Sequence, residues 1–370
     1  MYSLLMLLLP VWTGSFVSAA PAVSRAAALS GADCTFSDVA QAIQKKTSCS
    51  TITLRNLKVP AGKTLDLSDL NDGTRVIFTG RTTFGYQEWE GPLIAVSGTN
   101  IKVSGSPGNI IDCEGQRWWD GKGTNGQGKK KPDFFNAHDL INSEIRNLNV
   151  LNTPAHAFSI SGCNNLGVFN VNIDDSAGDT QGGHNTDGFD IGNSNGVTIS
   201  GCSVRNQDDC LAINSGTNIT FVDGFCSGGH GLSIGSVGGR NLNTVKGVHI
   251  ANSKVTKSMY GVRIKTIAGA EGAVSDVVYD NISMSEISDI GIVIQQDYKN
   301  GKPTGNPTTG VPITNLTVNK VTGNVKPGGA NVHILCGSSS SCKGWTWTDN
   351  KIVDGATPKA NSAVPAGVVL

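Results

Sequence analysis

A repeated hexamer constrains this chain more than any other feature. Six segments align: His156-Ala-Phe-Ser-Ile-Ser, Asp187-Gly-Phe-Asp-Ile-Gly, Asp209-Cys-Leu-Ala-Ile-Asn, His230-Gly-Leu-Ser-Ile-Gly, Tyr260-Gly-Val-Arg-Ile-Lys and Ile290-Gly-Ile-Val-Ile-Gln. Each carries an apolar residue at its third place and Ile at its fifth. Their starts lie 31, 22, 21, 30 and 30 residues apart. Alternation at period two puts the third and fifth residues on one face of a strand. A second series keeps the same rhythm: Gly167-Val-Phe-Asn-Val, Gly196-Val-Thr-Ile-Ser, Asn218-Ile-Thr-Phe-Val, Gly247-Val-His-Ile-Ala, Asp276-Val-Val-Tyr-Asp and Asn315-Leu-Thr-Val-Asn. Two strands per coil, with no helical stretch between them, predict an all-β solenoid of stacked parallel strands. Each coil then buries its inner face only against its neighbours. A β-sandwich would need regular two-residue hairpins, and the sequence lacks them.

Composition agrees. Glycine is frequent at 47 residues, while charged residues make up 16% and aromatics 6%. That mix suits short strands joined by tight turns and disfavours helical bundles. The formal net charge is zero, so no overall field draws in nucleic acid or a membrane. The run Lys129-Lys130-Lys131 reads as a solvated loop.

Residues 1–19 read as a secretory signal peptide. Leu4 to Leu9 form its apolar stretch, and Val17-Ser18-Ala19 its cleavage site. Residues 20–33 read as a pro-segment and 34–370 as one domain. A short capping helix is expected within residues 34–49, where Phe36, Val39, Ala40 and Ile43 recur at helical spacing after Thr35. The tail from residue 343, with Trp345 and Trp347, reads as a terminal cap. The nine cysteines suit an oxidising compartment. Cys34–Cys49, Cys210–Cys226 and Cys336–Cys342 are the expected short-range disulfides. An odd count leaves a thiol unpaired, and Cys113, Cys163 and Cys202 are the candidates, buried as small hydrophobes. Sequons at Asn218, Asn281 and Asn315 suit a secreted glycoprotein.

Stacking turns the repeat into a site. Equivalent residues of adjacent coils lie ~4.8 Å apart. The first place of the hexamer reads His156, Asp187, Asp209, His230, Tyr260 and Ile290, and Asp208 stands beside Asp209. The fourth place brings Asp190 and Arg263 to the outer face. The sixth brings Asn214, Lys265 and Gln295. A lone Asp in a turn is usually a turn former. Three within two adjacent coils repel one another, and such clusters persist mainly at functional or metal sites. Calcium is therefore the competing explanation; zinc lacks a ligand set. Without a metal, the strip has what a glycosidase for an anionic polymer needs. One carboxylic acid protonates the leaving oxygen, another carboxylate activates water, and cations hold the uronate groups.

Four motifs sharpen this: Asn185-Thr186-Asp187, Gln207-Asp208-Asp209, Gly229-His230-Gly231 and Arg263-Ile264-Lys265. In this order and at this phase of the repeat, the chain resembles the polygalacturonases of glycoside hydrolase family 28, and fungal endo-acting members most. The resemblance runs from about Cys34 to Cys342. It departs near the C-terminus, where a cysteine pair frequent in fungal members is missing. The resemblance implies a right-handed parallel β-helix and hydrolysis of α-1,4-galacturonosyl links of pectin with inversion. It implies Asp208 as general acid, Asp187 and Asp209 as activators of water, and His230 as support for the acid's protonation. Arg263 and Lys265 would grip galacturonate carboxylates, and Tyr298 matches a substrate-contacting tyrosine. Asn185, Asp190 and Gln295 are further substrate contacts on the same strip. The neighbouring carboxylates are expected to raise the pKa of Asp208. The expected protein is a secreted, extracellular monomer acting on polygalacturonate. It needs no cofactor or metal and has no nucleic-acid or membrane partner. A pectate lyase is the rival enzyme reading, a β-solenoid adhesin the rival binding module.

Overall fold

The computed structural model describes residues 32–124, 126–299 and 301–368. The signal peptide and most of the pro-segment therefore lie outside the described residues. Strands dominate, and they stack in parallel columns that wind the chain into a parallel β-helix. The hexamers pair in the expected register. Phe158 faces Phe189, which faces Leu211, then Leu232, Val262 and Ile292. The fifth residues make a parallel column of isoleucines at 160, 191, 213, 234, 264 and 294. All are at most 1% exposed, and each buried isoleucine contributes roughly 1.5–3 kcal/mol of apolar burial. The column continues through Phe135, Ile94 and Leu65 on one side and Val332 on the other. The C-terminal coil keeps the pattern, with Ile334 on Ile294, whereas the N-terminal coils depart from it; Ala137, for example, stands at the isoleucine position.

The second series forms a second column, with one correction. Gly167 pairs with Thr198, not with Gly196, whose partner row holds Asn165. The first member of the aligned series is thus displaced by two residues. A slip of two keeps every side chain on its face, so Val168 is still buried. The turn opening this column is left-handed: Asn165 has φ 58°, Gly196 68°, Asn218 55°, Gly247 68°, Asp276 56° and Asn315 53°. Only Gly, Asn and Asp visit that region readily, which explains their alternation at this position.

A third column was not legible. It comprises short strands such as Asn149–Leu151, Asn172–Asp174, Ser203–Asn206 and Phe225–Gly228. Each contributes one main inward residue, as Val150, Ile173, Val204 and Cys226 do. A run that short shows no alternation.

The N-terminal cap differs from expectation. Ala32–Phe36 is a strand paired with Cys49–Arg55, and the helix is confined to Val39–Lys45. Its N-cap is Asp38, whose carboxylate accepts the Gln41 N–H at 2.8 Å, rather than Thr35. The first described strand begins at Ala32. A second short helix, Gly178–Gln181, interrupts the coils where none was expected. Nor is the lysine run wholly solvated. Lys131 is buried against Asp120 at 2.8 Å, while Lys130 reaches Glu90 at 2.6 Å. At the far end Trp345 closes the core and donates its indole N–H to Ile313 O at 2.9 Å.

The three expected disulfides are present, and Cys113, Cys163 and Cys202 are free and buried. Cys210–Cys226 ties the residue after Asp209 to the adjacent coil. Among the described residues no helix is long and apolar enough to cross a membrane.

Candidate active site

A groove of about 620 Å³ runs over the outer face of the hexamer column. His156, Asp187, Asp209, His230 and Tyr260 line it, so the first place of the repeat does face outward. Asp190, Asn214, Arg263 and Lys265 join them from the fourth and sixth places, with Asp208, Asn185 and Tyr298. Gln295 does not. It faces an adjoining cavity that shares Tyr260 and Arg263 with the groove and adds Asp289 and His333.

Asp208 is surrounded by donors. Its Oδ1 lies 2.8 Å from His230 Nδ1 and accepts the Asp209 N–H at 2.8 Å. Its Oδ2 accepts the Asn185 amide at 2.9 Å. Asn185 is held in that orientation because its own Oδ1 accepts the Thr124 N–H at 3.0 Å. Burial pushes Asp208 upward. The His230 hydrogen bond and charge, Lys265 and the Asp209 N–H outweigh it and hold the carboxyl well below the usual carboxylate range. The expectation of a raised Asp208 is thus reversed in the free groove, because the donors are closer than the neighbouring carboxylates.

Asp187 has the opposite environment. Burial, then Asp208 and Asp190, hold it well above the carboxylate range, against the pull of His156. Its Oδ1 is buried with no hydrogen-bond partner. Asp190, beside it, is raised to about 6 by burial, opposed by His156.

Asp209 has both oxygens engaged. Ser233 donates to Oδ1 at 2.6 Å and Lys265 to Oδ2 at 2.7 Å, with Arg263 at 3.8 Å. Arg263 lies 4.3 Å from the Tyr260 ring centre and 5.7 Å from that of Tyr298; Lys265 lies 5.4 Å from Tyr298. Tyr298 thus packs on both cations, although it stands outside the repeated hexamer.

Two clusters bring ligand-type atoms within 4.8 Å of one another: His156, Asp187 and Asp190, and Asp208, Asp209 and His230. Basic side chains stand beside the three catalytic candidates, His156 at Asp187, His230 at Asp208, and Lys265 with Arg263 at Asp209. The arrangement balances charge with side chains, as a general acid–base site does.

The match to known proteins decides the family. The profile described as Glycosyl hydrolases family 28 matches residues 49–368. The chain belongs to glycosyl hydrolase family 28. Endopolygalacturonase 1 of Colletotrichum lindemuthianum is 58% identical over 336 residues, 91% of this chain and 92% of the relative. A polygalacturonase of Penicillium janthinellum is 58% identical over 363 residues, covering 96% and 97%. Endopolygalacturonase I from Stereum purpureum, solved in complex with two galacturonate, superposes with a TM-score of 0.80 at 39% identity, covering 88% and 96%. This family 28 glycoside hydrolase shares their right-handed parallel β-helix.

Some groove residues escaped the sequence reading as site residues. His156 and Tyr260 were visible at the first place of the repeat but carried no motif. Exposed His184 and Arg240 come from loops between coils, where no periodicity marks them.

Proposed function

We propose that this chain is a secreted endo-polygalacturonase that hydrolyses the α-1,4 links of polygalacturonate, the backbone of pectin, with inversion at the anomeric carbon. The observation that carries this reading is the division of labour within one groove. An acidic triad lies beside two buried cations, Arg263 and Lys265, that can pair with uronate carboxylates. The names of the similar proteins support the same substrate.

Asp208 is the general acid and Asp187 the principal activator of water, since it lines the groove and, unlike Asp208 and Asp209, does not have both carboxylate oxygens held by donors. Asp209 completes the water-activating pair through its charge and anchors Lys265. Asp208 must gain a proton before it can donate one. A galacturonate carboxylate arriving at Arg263 and Lys265 cancels part of the positive field that keeps Asp208 ionised, so its pKa rises when substrate binds. His230, in hydrogen-bond contact, shares the proton. Asn185 orients the acid rather than gripping sugar. Asp190 and Tyr298 line the sugar path, and Tyr298 stiffens the two cations. The leader and the three disulfides suit extracellular work.

The test is incubation with polygalacturonate, following reducing ends, chain length and the anomer first released by NMR. Rapid shortening to mixed oligomers with an initial β-anomer is expected. An unsaturated uronide abolished by chelator would mark a lyase, and binding without new reducing ends would mark an adhesin.

A further inference from the structure

The three catalytic carboxylates each have a basic side chain beside them, and one pairing has no counterpart in the motifs. His230 serves Asp208, and Lys265 with Arg263 serves Asp209. Asp187 has His156, whose Nε2 lies 3.8 Å from its unpartnered Oδ1. The other ring nitrogen, Nδ1, lies 2.9 Å from Asp133 Oδ1. The imidazole is therefore strung between two carboxylates of successive coils. Its backbone is pinned too: Phe134 N–H donates to His156 O at 2.9 Å, and Ala157 N–H to Asp187 O at 2.7 Å.

We propose that His156, braced by Asp133, is a positioning residue that opposes protonation of Asp187 and fixes the orientation of its carboxylate beside the attacking water. The inference rests on the hydrolase reading above and assigns a new part within it.

The charges facing the ring are Asp133 from the preceding coil and Asp187 and Asp190 from the following one, with Asp208 and Asp209 one coil beyond. Burial opposes a charged imidazole, but the Asp133 hydrogen bond and the carboxylates of Asp187 and Asp190 outweigh it and keep His156 well above the ordinary histidine range. The ring is then a cation throughout the acidic range. Asp187, by contrast, is pushed toward protonation by burial, Asp208 and Asp190. A protonated Asp187 cannot take a proton from water. The imidazolium is its nearest opposing charge, and removing it should leave Asp187 protonated to higher pH.

The experiment compares pH profiles of kcat and KM on polygalacturonate for the wild type, His156→Gln and Asp133→Asn, with Tm measured alongside. In His156→Gln the acidic limb of kcat should move up by ~1 pH unit, lowering turnover about tenfold at its acidic end, because an opposite charge at such range shifts a carboxylate by about 1–3 units. KM on the alkaline side should stay within about twofold, since a residue acting through Asp187 touches no sugar. Asp133→Asn should move the same limb by less. A change confined to KM, or a loss equal at every pH, would overturn the proposal. A wild type that releases no reducing ends would instead sink the hydrolase reading, whereas an active wild type whose profile matches that of His156→Gln would sink only the role given to His156.

Discussion

Lys265 Nζ lies 2.7 Å from Asp209 Oδ2, and both residues are buried beneath the groove. The lysine therefore neutralises Asp209 in addition to the part in gripping an anionic sugar that the proposed function gives it. Removing one member of a buried pair leaves the other charge uncompensated, a loss of about 3 kcal/mol or more. Lys265→Met should raise KM and also lower Tm, and the double variant Lys265→Met with Asp209→Asn should recover part of the Tm. Thermal unfolding beside steady-state kinetics checks both. An unchanged Tm in the single variant would show that water screens the pair.

Asp208→Asn should abolish nearly all turnover while leaving substrate binding and Tm close to wild type. The wild-type profile should be bell-shaped with an acidic optimum, its two limbs belonging to the coupled carboxylates of the groove together rather than to single residues. Near-wild-type turnover in Asp208→Asn would mean that the acid is wrongly named.

Asp175 is fully buried beneath the loop that carries Asn185 and Asp187, and burial raises it to about 7 from an ordinary 3.8. The sign follows from linkage. Between those values the unfolded chain has lost the proton and the folded chain keeps it. Stability is therefore full below about pH 4 and falls by up to about 4 kcal/mol as pH rises through 7. The carboxyl accepts the Thr153 N–H at 2.6 Å and meets Thr153 Oγ1 at 2.7 Å. An Asn can accept the first and donate to the second. Asp175→Asn should thus be more stable than wild type at pH 7 and equal to it at pH 4, as denaturant titration at both values would show. Equal loss at both would place the effect in packing.

The free thiols should be silent in the native enzyme. Burial raises Cys163 and Cys202 to about 11 and holds Cys113 well above the ordinary thiol range. A thiol reagent at pH 8 should label none in the folded protein and all three after unfolding without reductant. Labelling of the folded protein would reveal an opening that the packing does not suggest.

The sequence by itself determined the coil and its phase. Because side chains alternate at period two and coils pair in register, the isoleucine ladder put Arg263 and Lys265 on the outer face and stacked Asp187, Asp209 and His230 in neighbouring coils; that this first place, at the turn entering the strand, also faces outward was decided by the tertiary structure. The third column was lost because three-residue strands carry no period, and the helix Gly178–Gln181 because it stands in a loop outside the repeat. What the tertiary structure decided is which atoms meet. The direction in which Asp208 titrates depends on Asn185, and Asn185 on Thr124, a contact across 61 residues of sequence. Likewise Gln295 satisfies the outward pattern but faces an adjoining cavity rather than the groove. Periodicity fixes the face a side chain points to; loops packing from elsewhere in the chain fix the charge, hydrogen bonds and enclosure it finds there.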